Sequence, residues 1–288
     1  MSYNNDYNNG YNSGYNNNNN YNNGYNNNSN YNYDYNYNNG YNSQYQYNNA
    51  GYDNNGYGAG NYNYNNGYSA SSGKLISTEA YNLIIGGVLL YGFIVNCIMT
   101  AVFSDSIMRF VISNPLLFYI SYFVCAIAGT MMVRKSSNPV ISFIGYNLVV
   151  VPIGVVISFT VTAYTMMEGG SIVTASFAIT AVVTLVMMFV SSLYPRVFLS
   201  MGRTLGITLL VTIVAELILT LIMGSGALPI IDYIVVAIFC LYIGYDWAKA
   251  NAVEKTADNA IDAACELYLD IVNLFLRIMR ILARANRN

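Results

Sequence analysis

From Tyr81 to Leu282 the chain is a succession of long apolar runs separated by short polar punctuation. A helix needs roughly 20 apolar residues to cross hydrocarbon. Seven stretches approach that length, at roughly 81–103, 112–133, 140–163, 171–194, 204–224, 229–248 and 260–282. Within them the polar residues are mostly Ser, Thr and Gly, which let helices approach closely and hydrogen-bond inside a bundle. Strands of a barrel would alternate over about ten residues, and no such alternation occurs. The pattern predicts an all-α polytopic membrane protein, a seven-transmembrane-helix bundle over residues 74–288.

Residues 1–73 are a different material, almost entirely Asn, Tyr, Gly and Ser up to Tyr68. With so little aliphatic surface to offset the entropy of ordering, this tail is predicted to be disordered. Its stacking tyrosines and Asn ladders suit self-association or a protein partner. It lacks the basic and apolar regions of a signal peptide. It has no Lys or Arg before Lys74, so nucleic acid is not an expected partner. The lipid bilayer is the partner of the remainder.

Charge orients the bundle. Lys74, Arg134, Lys135, Arg196, Arg203, Lys249 and Lys255 fall on one side, and the opposite loops offer Arg109. The positive-inside rule therefore puts the N-terminus in the cytoplasm. Seven crossings would leave Arg284 and Arg287 on the far side, against that trend. The chain has no histidine, and neither a phosphate-cradling glycine loop nor a nucleophile elbow is present, so no enzyme is expected. Cys97, Cys125, Cys240 and Cys265 all fall inside predicted spans without a paired motif and read as small buried hydrophobes.

The acids inside the spans are the informative residues. A carboxylate at mid-membrane costs roughly 2.5–3.5 kcal/mol on insertion scales, so such groups face the protein interior and have work to do. The candidates are Glu216 in the fifth span, Asp246 near the end of the sixth, and Glu266 and Asp270 in the seventh. Asp105, Glu168 and Asp232, at span ends, read as solvated. At about 100° per residue, Asp262, Glu266, Asp270, Asn273, Arg277, Arg280 and Arg284 share one stripe of the seventh segment, acidic first and basic later. Such a helix either lies in the interface with its stripe toward water or runs through the core with its stripe toward other helices. The short polar segment NAVEKTADNA makes the sixth and seventh spans antiparallel neighbours. With regular helices Asp270 then lies about two turns deeper than Asp246, so their contact requires an offset or a break.

LYIGYDWAKAN, a polar loop and ELYLDIVNLFLRIMRIL resemble the closing third of the Bax inhibitor-1 family. Asp246 follows Tyr245, and Asp270 stands 24 positions later within ACELYLDIVNLFL. The resemblance implies a bundle with a central seventh helix that acts as a pH-sensitive calcium leak and, in eukaryotes, restrains cell death. It carries the family's aspartate pair onto Asp246 and Asp270, where calcium would also pass, and its basic latch onto Arg134. The implied site is thus Asp246, Asp270, Arg134 and Glu266, with Glu216 a further acid on the ion path. The cargo is calcium, and no cofactor is expected. The implied location is a bacterial plasma membrane or a eukaryotic endomembrane. Two other readings fit the same residues: a proton-coupled transporter relaying through Glu216, and a non-conducting scaffold whose tail recruits partners in death or stress responses.

Overall fold

The computed structural model describes residues 73–223 and 229–287, so the expectation for the tail lies outside the described residues, Gly73 aside. Among the described residues there are eight helices: α1 Thr78–Ser113, α2 Pro115–Lys135, α3 Pro139–Glu168, α4 Gly170–Leu193, α5 Pro195–Ser200, α6 Gly202–Met223, α7 Pro229–Ala252 and α8 Ala257–Arg287. Four of the five prolines open a helix, where the missing N–H costs nothing and φ is already helical. They divide apolar sequence into segments. Ser77 caps α1 by accepting from the Ala80 amide, and Asn138 caps α3 by accepting from Val140. Between α3 and α4 the chain turns on Gly169 alone, at φ 86°, a conformation that suits a residue without Cβ.

Two boundaries depart from expectation. The first helix runs on to Ser113, so the second begins at Pro115 rather than near residue 112. The stretch expected as a plain loop after α4 contains the short helix α5, and Phe198 on it packs against Gly244 of α7. Six helices, α1–α4, α6 and α7, are long and apolar enough to cross a membrane.

The bundle is inside out relative to a water-soluble protein. Its outer surface is apolar: Leu83, Leu116, Leu185 and Leu221 are all exposed. Its interior contains Asn96, Ser142, Ser158, Ser176, Asp232, Asp246, Asp262 and Asp270. Lipid makes the first arrangement favourable, and helix-to-helix hydrogen bonds make the second tolerable. Of the cysteines only Cys265 is buried, and Cys97 faces outward rather than into the core. Where α2 crosses α3, a Cβ on Gly129 would stand 2.7 Å from the Gly145 carbonyl oxygen, so the backbones meet directly.

α8 occupies the middle, packed against α1, α2, α3, α4 and α7. Leu267, Leu274 and Ile278 join the α1 and α7 side chains Tyr81, Ile85, Val235, Phe239 and Ile243 in one core cluster. Cys265, Tyr268 and Val272 join Tyr146, Val149, Val150 and Ile153 of α3 in another. This burial excludes the interfacial placement of α8.

Candidate functional site

α8 begins at Ala257, capped by the Thr256 hydroxyl, which accepts from the Asn259 amide. Antiparallel packing against α7 then fixes which side chains meet. Lys249 faces Glu266, Asp246 faces Asp270, and Asp232 faces Arg284. Going back three residues on α7 goes forward four on α8, and a further fourteen back goes fourteen forward. In this register the first six residues of α8, 257–262, extend past the end of α7 at Ala252. That overhang is about 9 Å long, and the four residues 253–256 can span about 13 Å when extended. The last two of these are tied to the segment before α1: Leu75 pairs with Thr256 across an antiparallel bridge, and the Ile76 amide donates to the Lys255 carbonyl at 2.9 Å. The connection supplies the offset that brings Asp246 level with Asp270.

Asp246 and Asp270 hydrogen-bond through their side chains, both buried at 7% exposure. A hydrogen bond between two carboxyls needs a proton on one of them. Oδ2 of Asp270 is buried without a hydrogen-bond partner. One turn toward the connection, Glu266 accepts both hydrogen bonds from Lys249 Nζ, at 2.9 and 3.0 Å. Arg134, in the last turn of α2, ion-pairs with Glu266 at 3.7 Å. Lys249 and Arg134 also lie within electrostatic reach of Asp246. Arg134, onto which the resemblance carried the basic latch, thus engages Glu266 rather than either aspartate of the pair.

Glu216 is not part of this group. It meets α8 toward the other end, where Arg277 donates to both its oxygens at 2.8 Å. Asp232, on the first turn of α7, is not solvated as expected but 2% exposed, ion-paired with Arg277, Arg280 and Arg284. Glu168 likewise accepts from Arg287. The reason lies in the basic half of the α8 stripe: arginines brought into a bundle require carboxylates beside them. That half of the stripe was the signal for Asp232. Asp258 was the further acid: it continues, by one more four-residue step, the run of Asp270, Glu266 and Asp262 already on the stripe.

A profile of the family described as Inhibitor of apoptosis-promoting Bax1 matches residues 74–288. The chain belongs to the Bax inhibitor-1 family. Curated proteins gave no match. The match spans the whole described bundle, and the carboxyls that meet at its centre are those onto which the resemblance carried the Bax inhibitor-1 aspartate pair. As expected of that family, this is an integral multi-pass membrane protein.

Proposed function

We propose that the chain is a pH-sensitive calcium leak gated by the Asp246–Asp270 pair. The observation that carries this is the side-chain hydrogen bond between Asp246 and Asp270, which joins α7 to the buried α8. While a proton is shared, the pair bridges the two helices and the path is closed. Two carboxylates side by side in low dielectric repel when both are ionised. Loss of the proton therefore breaks the bridge and creates a doubly negative site, whose hard oxygens suit a divalent cation. Lys249 and Arg134 compete for the same charge, and Glu266 restrains both by holding them one turn away.

In this reading α8 is the seventh crossing, shielded from lipid by its neighbours, with the N-terminal tail on the cytoplasmic side. The arginines at its C-terminal end then lie on the far side, each beside an acid. Arg277, Arg280, Arg284 and Arg287 are all ion-paired with acids.

The test is calcium uptake into liposomes carrying the purified protein, measured at acidic and at mildly alkaline pH. Uptake above protein-free liposomes, larger at the higher pH, supports the reading. Uptake of another solute driven by a proton gradient would indicate a transporter, and no flux at all a scaffold.

A further inference from the structure

Between the aspartate pair and the α7–α8 connection, α8 carries three more carboxyls at four-residue steps, Glu266, Asp262 and Asp258. Residues four apart are neighbours on a helix, about 5–6 Å between Cβ atoms. With Asp270 they form one column that starts at the first turn of α8 and ends at the pair. Asp258 Oδ1 accepts from Ser142 Oγ of α3 at 2.6 Å. Glu266 is held by Lys249 and Arg134. Asp262, between them, is different. It is 2% exposed, and its Oδ1 is buried with no hydrogen-bond partner.

The groups facing Asp262 are Tyr81 of α1, Arg134 of α2, Lys249 of α7, and Asp258, Cys265 and Glu266 of α8 itself. The two cations among them are already engaged by Glu266. An ionised carboxylate buried with an open oxygen and flanked by two acids is costly, and binding a proton removes that cost. The column is strung along the helix rather than closed around a point. Among the described residues no three acidic, Cys or His side chains are placed to hold a metal.

We propose that Asp262 is a proton-binding site, separate from the Asp246–Asp270 pair, supplied from water at the α7–α8 connection by way of Asp258. The carboxylic acid of Asp258 gives its proton to the Asp262 carboxylate and regains one from water. The net change is one proton bound and one negative charge lost inside the bundle. The site does not depend on which ion the bundle conducts.

The experiment is infrared titration of protonated carboxyl groups in the full-length protein reconstituted in lipid. A protonated-carboxyl band is expected that disappears in Asp262→Asn and persists in Asp270→Asn. In Asp258→Asn the same band should remain, with its hydrogen–deuterium exchange slowed by about tenfold or more, a barrier increase of roughly 1.4 kcal/mol. An Asp262→Asn spectrum that overlays the wild type at every pH overturns the proposal, and so does unchanged exchange in Asp258→Asn. If Asp262→Asn fails to reconstitute, Asp262→Glu decides: a shifted band supports the assignment and an unmoved band overturns it. A wild type that passes no calcium but shows the Asp262 band supports this proposal and removes only the calcium reading.

Discussion

Glu266 stands one turn from Asp270 and, alone, would add charge to a site that already holds two carboxyls. Lys249 and Arg134 change its role, because their charges offset its own and it in turn holds them near the pair. Glu266→Gln is expected to release Lys249 toward Asp246 and to move the pH midpoint of calcium uptake downward, since a nearby cation favours ionised carboxylates. An unchanged midpoint contradicts that role. Asp258, ahead of the predicted crossing, gives a second pH effect. Burial pushes its carboxyl above the ordinary carboxylate range, opposed by the hydrogen bond from Ser142. The folded protein then holds this proton more tightly than the unfolded chain does. Its contribution to stability is complete below the ordinary carboxylate range and is lost as pH rises through the folded-state value. Asp258→Asn, uncharged throughout, should therefore lose less thermal stability than wild type between acidic and neutral pH in detergent. Equal losses would contradict the assignment.

α8 is a helix whose apolar and charged faces both point at protein. Its acidic half meets α2, α3 and α7, and its basic half meets α3, α6 and α7 through Glu168, Glu216 and Asp232. Arg277, the least exposed of the four arginines, binds both Glu216 and the buried Asp232. Arg277→Ala should cost about 1.5–3 kcal/mol, the range for lost hydrogen bonds to charged groups, because Arg280 and Arg284 still neutralise Asp232. Glu216→Ala, which leaves Arg277 with Asp232, should cost clearly less. Thermal unfolding of the two single variants and the double variant measures their coupling, and additive losses would contradict a direct pair. The α2–α3 crossing has its own test. A Cβ on Gly145 would lie 2.8 Å from Met132 Cβ, whereas one on Gly87 meets nothing within 4 Å. Gly145→Leu should destabilise by at least the roughly 1–3 kcal/mol of overpacking, and Gly87→Leu should be neutral.

For the molecule as a whole, hydrophobic run length was enough to read six crossings, and proline positions mark where four of the eight described helices begin. The pairing of Asp246 with Asp270 was half legible. Helical phase put the acids on one stripe, but the depth at which they meet depends on the path taken by residues 253–256, and nothing in NAVEKTADNA alone fixes it. Asp232 was misread because a carboxylate three residues into a helix looks solvated until the arginines opposite are seen to need it. Glu216 was recognised as an intramembrane acid, yet its partner lies 61 positions away in Arg277, a separation that no local pattern reports. None of the residues assigned to the path in this account belongs to the tail, so deleting residues 1–70 should leave calcium uptake unchanged, whereas a scaffold acting through the tail would lose its function.

The central claim is that the shared proton of Asp246 and Asp270 closes the path. Calcium uptake by full-length wild type and Asp270→Asn, in matched liposomes at acidic and mildly alkaline pH, tests it most directly. Asn can keep the hydrogen bond to Asp246 but cannot supply the second charge. The account predicts wild-type uptake that rises with pH, and in Asp270→Asn a lower uptake that scarcely changes. Uptake in Asp270→Asn with the wild-type pH dependence would contradict it.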